Sequence, residues 1–272
     1  MQAHCLIRDQ PWYRRDVFVN GLRRAGHTVT TSVPSKPDKD TLLVIWNRYA
    51  DNHHIAQRVE DADGTVIVAE NGYIGAGGGT PKFQVHPKGP QPGHYYALAR
   101  GWHNGGGTWP VGAEDRWGRL GIELRPWRDG GDYILVCPNR SFGVPGRMMP
   151  EQWAEKIAAR LREVSTFPVR IRRHPGNDAP KHSLDEDLKG AAMVVVWTSS
   201  CGVHALVEGI PVICEAPYWI CKSAAVSLNT AISEPLEEPD RLKALRSLAY
   251  AQWTCEEIAS GEPFRFLLPQ SR

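Results

Sequence analysis

MVVVWTSSCGVHALVEGIPVICEAP, residues 193–217, is the stretch on which the fold of this chain turns. Met193–Trp197 is a continuous apolar run, the pattern of a parallel strand covered on both faces. Thr198–Gly202 is small and polar and opens a helix whose inner face is supplied by Val203, Ala205, Leu206 and Ile210. Gly209 stops that helix, and Pro211 begins a second buried strand. Ser199 and Ser200 therefore stand at a helix N-terminus, at the carboxyl end of a parallel strand. Free amides, hydroxyls and the positive end of the helix dipole meet there, which makes an anion site, phosphate being the usual occupant. A second reading is equally open at this point: two serines that only cap the helix.

Working outward, the flanking segments repeat the same alternation. Cys5–Arg8, His27–Val33, Thr41–Trp46 and Thr65–Ala69 read as strands, with helices over Trp12–Ala25 and Asp51–Val59. Residues 34–40 form a loop. This β-α-β-β-α-β order implies an open, largely parallel sheet. Gly72–Gly107 is rich in Gly, Pro, His and aromatic residues, the composition of a functional loop, with Tyr95–Arg100 as one more strand within it. Trp109–Gly130 reads as a short helix plus linker, and Asp129–Gly131 as a boundary. A second α/β unit starts at Tyr133–Cys137 and continues through a helix over Glu151–Val164, a strand over Val169–Arg172 and a short helix over Leu184–Leu188. Leu236–Glu257 reads as a long terminal helix, or two, and Phe264–Leu268 as a tail packed onto the body. The expected domains are 1–130 and 131–272.

Composition narrows the function classes. The 272 residues are 42% hydrophobic with a net charge of +2, far from the basicity of a dedicated nucleic-acid binder. Before Gly130 there are 16 Lys and Arg against 13 Asp and Glu, and after it 16 against 17, a slight basic lean in the first half. Six scattered cysteines without a CxxC pair read as reduced, mostly buried thiols of a cytoplasmic protein. No apolar run approaches a membrane span. The sequence offers no set of metal ligands at metal spacing, so the expected chemistry uses neither metal nor resident cofactor.

Three turns of the second half fall at strand carboxyl ends, the edge where open α/β sheets bind ligands: Asn139–Gly143, Arg173–Gly176 and Thr198–Gly202. They bring Arg140, Ser141, His174, Ser199, Ser200 and Gly202 towards one crevice, a set with two potential cations that suits a diphosphate. In the first half, Glu70 follows the strand Thr65–Ala69 and Asp9 follows Cys5–Arg8. His103 lies in the glycine-flanked loop and titrates near neutrality. Glu70, then Asp9, then His103 are the candidates for a general base. Each has a structural alternative: a turn cap, a helix cap or a simple ligand contact. Tyr95, Tyr96, Arg100, Trp102, Asn104 and nearby Trp109 are candidates for acceptor binding by stacking and hydrogen bonding, the tyrosines serving equally well as a small core under the loop.

VVVWTSSCGVHALVEGIPVI, residues 194–213, resembles the nucleotide-sugar-binding half of GT-B-type glycosyltransferases. RIRRHPG, residues 170–176, resembles the His-Pro motif of capsule-polysaccharide and related transferases of that superfamily. The resemblance covers about residues 133–217. It implies a compact α/β protein with two Rossmann-like domains facing a cleft, the second holding a nucleotide sugar, expected to be UDP-linked, through His174, Ser199 and Ser200. Many such enzymes carry a ribose-holding glutamate early in the helix. Here the matching position is His204, and Glu208, one turn on, is the only carboxylate of that helix. The segments AENGYIG, ALARGWHNGGG and LAYAQWTCEEIASGEPFRFL look like small glycosyltransferase-like proteins of tailed phages, which implies sugar transfer to a 5-hydroxymethylpyrimidine in DNA within the host cytoplasm. Such an enzyme takes an extruded or single-stranded base. The rival expectations are a glycan or small acceptor, and a non-catalytic nucleotide-binding protein.

Overall fold

The computed structural model describes residues 1–75, 94–140, 143–175, 181–233 and 239–268. The α/β expectation holds, with two sheets built on parallel strands. The chain forms two compact units, Met1–Glu114 with Ser247–Arg272, and Asp115–Arg246.

The first unit holds a six-stranded sheet from β1 (Gln2–Cys5), β2 (Thr28–Thr30), β3 (Thr41–Trp46), β4 (Thr65–Asn71), β5 (Tyr95–Arg100) and β10 (Gln252–Thr254), in the order β10-β5-β4-β3-β1-β2. The strands β2, β1, β3 and β4 are mutually parallel, while β5 runs antiparallel to both β4 and β10. Every residue of β3 is buried because both of its faces are covered. Leu42, Val44 and Trp46 point into a core with α1 (Arg15–Arg24), α8 (Cys255–Ser260) and α9 (Glu262–Leu267). Leu43 and Ile45 point to the other face, under Ala56 and Val59 of α2 (Asp51–Glu60). Alternation of side chains along a strand thus explains why β3 is apolar from Leu42 to Trp46.

The second unit is a four-stranded parallel sheet in the order β7-β6-β8-β9, from β6 (Tyr133–Cys137), β7 (Val169–Ile171), β8 (Ala191–Val196) and β9 (Val212–Cys214). The amphipathic helix α3 (Trp153–Val164) lays Trp153, Ile157 and Leu161 on one face of it. It begins two residues later than expected, because Gln152 takes a left-handed conformation. A capping box from Ser183 to Glu186 starts α4 (Leu184–Lys189). The helix α5 (Cys201–Val207) packs on β8 and β9 with Val203, Ala205 and Leu206 fully buried, and Gly209, at φ 73°, ends it as expected. The short helix α6 spans Leu228–Ser233.

Two expectations about organisation need correction. The division does not fall at Asp129–Gly131. The Arg125 and Arg128 amides bond to the carbonyls of Val207 and Gly209, and the Arg128 guanidinium bonds to those of Leu188, Lys189 and Ala191, so this segment is stitched into the second unit. The terminal segment forms two helices, one of the two readings its sequence allowed. It breaks after α7 (Arg241–Ala251), and Gln252–Thr254 becomes the edge strand β10. The expected helix within Trp109–Gly130 is only a single 3-10 turn at Gly118–Leu120. The tail does pack back, as α9, with Phe264 fully buried. All six cysteines are free thiols, five of them buried. Among the described residues no helix is long and apolar enough to cross a membrane.

Candidate functional site

In the first unit, polar side chains gather at the carboxyl end of β3 and β4, where the sheet rule places ligands. Glu70, near the end of β4, accepts two hydrogen bonds on Oε1, one from the Tyr73 hydroxyl and one from the Asn104 amide at 2.6 Å. Its Oε2 has no hydrogen-bond partner among the described residues. Burial pushes the Glu70 carboxyl up to about 7, against the two donors, which pull the other way. A carboxyl poised near neutrality with one oxygen bare is equipped to accept a proton.

The surroundings of Glu70 are built by residues that the sequence reading passed over. Arg48, immediately beyond β3, is buried and makes a two-pronged ion pair with Glu60, at 2.6 and 2.5 Å, and bonds to the Gly101 carbonyl at 2.6 Å. Its guanidinium stacks on the Trp102 ring, 4.8 Å from the centroid. The Arg48 amide donates to Nδ1 of His103 at 3.3 Å, and its Nε to Nδ1 of His53 at 3.4 Å. His103 in turn stacks on Trp102. Non-glycine residues in left-handed or otherwise strained backbone cluster here: Asn47, Ala50 and Asn104. Such strain concentrates at functional sites. A basic residue just past an apolar strand reads as a solvated surface group, so only the fold reveals that Arg48 is internal.

The other first-half candidates fare unequally. Asp9 is exposed and ion-paired with Arg15. Tyr96 is not placed to bind acceptor. It is fully buried in the core with Trp46, Phe18 and His94, and its hydroxyl donates to the Trp12 carbonyl. Trp102 is likewise covered, by Arg48, His53 and His103, and offers no open face for stacking. Arg100 is exposed at the end of β5 with its backbone paired to Thr108, and Tyr95 is half-buried at the strand's start. The side chain of Trp109 donates to the Ser247 carbonyl. Asn104 reaches Glu70 through its backbone amide.

In the second unit, the strand order β7-β6-β8 sets the three expected turns side by side. The Asn139 side chain, after β6, accepts from the Thr198 amide, after β8, at 2.8 Å. Arg140 is exposed and lies near enough to His174, after β7, to act on it electrostatically. Burial, then this neighbouring guanidinium, lowers the His174 imidazole below its ordinary value, which favours its neutral form. Ser199 is buried, and its Oγ accepts from the Cys201 amide at 3.3 Å, so it is the serine that serves the helix start. Ser200 makes no side-chain cap bond. Gly202 has a packing reason: a Cβ there would lie 2.7 Å from the Trp219 ring, whose Nε1 bonds to the Ser199 carbonyl and holds the turn. His204 is half-buried on α5, and Glu208 is exposed at its C-cap. Ser141 lies outside the described residues. Beside this turn the thiols of Cys137 and Cys201 contact each other. That contact and the Ser199 hydroxyl bring Cys201 down to about 7, while Cys137 is held well above the ordinary thiol range.

No family model matches the chain. No curated protein matches it. Among solved structures it is similar to the beta Kdo 2,7 transferase of Thermosulfurimonas dismutans KpsC, with a TM-score of 0.53, 16% identity, and 97% of this chain and 99% of that one covered. A beta Kdo 2,4 transferase of the same KpsC aligns with a TM-score of 0.49, 13% identity, and coverage of 92% and 90%. The chain shares its α/β fold with the first of these. At this identity the likeness reaches the backbone and not the side chains.

Proposed function

We propose that this chain is a glycosyltransferase that moves a sugar from a nucleotide-sugar donor to an acceptor hydroxyl. The observation that carries the reading is Glu70. Two donors occupy its Oε1, Oε2 is bare among the described residues, and burial raises its carboxyl to about 7. In the proposed reaction Oε2 takes the proton of the acceptor hydroxyl as that oxygen bonds to the anomeric carbon and the bond to the nucleotide breaks. The second unit supplies the donor's anchorage. Arg140 offsets the charge of the departing phosphate, and His174 and the Ser200 hydroxyl donate hydrogen bonds to it. His204 and Glu208 are the candidates for the ribose. A UDP-linked sugar is the donor to try first.

For the acceptor, we favour a sugar hydroxyl of a glycan over a hydroxymethylpyrimidine in DNA. The DNA reading needs exposed aromatic faces, and Tyr96 and Trp102 are both covered. The fold likeness to a Kdo transferase points the same way. Incubation with a panel of nucleotide sugars, against glycan acceptors, hydroxymethylated DNA and plain DNA, tests both levels. Label transfer to a glycan supports the reading. Transfer only to hydroxymethylated DNA replaces the acceptor class. Absence of any nucleotide-sugar binding by calorimetry overturns the enzyme reading and leaves a binding protein of another kind.

A further inference from the structure

We propose that Gln252 and Tyr73 are positioning residues for Glu70, so that an edge strand from the far end of the chain sets the geometry of the base; this rests on the reading of Glu70 given above. Gln252 lies on β10 and is buried to 1% exposure. Its Oε1 accepts from the Tyr73 amide at 3.1 Å and from the Ile74 amide at 3.4 Å, and its Nε2 donates to the Ile74 carbonyl at 2.8 Å. One amide side chain thus satisfies three backbone groups of a glycine-flanked turn that belongs to no helix or strand. A buried primary amide can do this because it is donor and acceptor at once.

The fixed turn directs the Tyr73 side chain. Tyr73 is itself buried, and its hydroxyl donates to Glu70 Oε1. The Asn104 amide donates to the same oxygen. Loading both donors on Oε1 fixes the carboxylate plane and leaves Oε2 to the reaction. The other titratable or charged groups at these strand ends are His103 from the loop after β5, His53 from α2, and the Arg48–Glu60 pair. Arg48 and Glu60 are matched to each other, and the first two ring nitrogens accept from Arg48. Tyr73 and Asn104 are therefore the groups that favour the ionised form of Glu70 against its burial.

The test titrates Glu70 directly, in the full chain, by carbon NMR of 13C-labelled glutamate, the resonance being assigned by its absence in Glu70→Gln. In Tyr73→Phe the midpoint should rise, by about one pH unit for loss of a hydrogen bond to the charged form. In Gln252→Met it should rise in the same sense. The double variant should rise no further than Tyr73→Phe alone, because both act along one path. An unchanged midpoint in Tyr73→Phe overturns the proposal, and fully additive shifts overturn the role of Gln252. If Gln252→Met does not fold, hydrogen exchange at the Tyr73 and Ile74 amides of the unaltered chain decides: slow exchange supports the clamp, and exchange as fast as in an open loop overturns it. The titration needs no turnover. Should Glu70→Gln keep full transferase activity, the base reading fails while the titration still tells whether Tyr73 and Gln252 hold this carboxylate.

Discussion

Glu70 is a residue whose chemistry and whose contribution to stability oppose each other. Its carboxyl titrates near 7 in the folded chain against an ordinary value of 4.5. The folded state therefore binds more protons than the unfolded one between those pH values, and stability falls as pH rises through that window. Glu70→Gln keeps an acceptor for Tyr73 and Asn104 without the buried charge. At pH 8 it should melt higher than the unaltered chain, by on the order of 2 kcal/mol, with the difference vanishing below pH 4.5. Its transferase rate should fall by about 10²-fold or more, the usual weight of a general base. In the unaltered chain, transfer should rise with pH and reach half its limit near 7, since the base acts deprotonated. Cys201 offers a second check at this scale. Its lowered thiol predicts faster alkylation by iodoacetamide at neutral pH than an ordinary thiol, read by peptide mass spectrometry, and replacing Cys137 with alanine, which removes their contact, should slow it.

At the scale of elements, the contact between α1 and α8 depends on Gly21. A Cβ there would sit 1.8 Å from the Ile258 carbonyl oxygen, so the two helices touch backbone to side-chain-free backbone. Gly21→Ala should lower stability by about 1–3 kcal/mol through forced separation, despite alanine's better helix propensity, as read by urea denaturation. The elements also show what could be read from sequence. The apolar run Thr41–Trp46 and the strand–turn–helix at 193–209 were legible because burial on both faces leaves a compositional trace. The three turns of the second unit were legible because strand ends follow from strands. The edge strand β10 was not: Gln252-Trp253-Thr254 is three residues between two helices, too short to show alternation. Arg48 and Tyr73 were not either, since nothing local distinguishes an internal arginine or a clamped tyrosine from their surface counterparts. Tyr96 misled for the opposite reason, an aromatic residue beside a polar loop that belongs to the core.

For the molecule as a whole, the first unit is completed by residues from both ends of the chain. Ending the chain at Arg246 removes Trp253, Cys255, Ile258 and Phe264 from its core, all at or below 6% exposure. Circular dichroism of the shortened chain should show the first unit unfolded, and limited proteolysis should cut within residues 1–114 while sparing the second unit. The arrangement also orders events in the cell. β10 pairs with β5, and Gln252 meets Tyr73 across 179 residues of sequence. A nascent chain emerging N-terminus first must present β5 as an open edge throughout synthesis of the entire second unit. An unpaired edge of this kind invites pairing with other chains. Yield from the ribosome should therefore depend on translation speed through codons 115–246 and on holdase chaperones. The clamp on Glu70 through Tyr73 therefore closes only once residue 252 has been made.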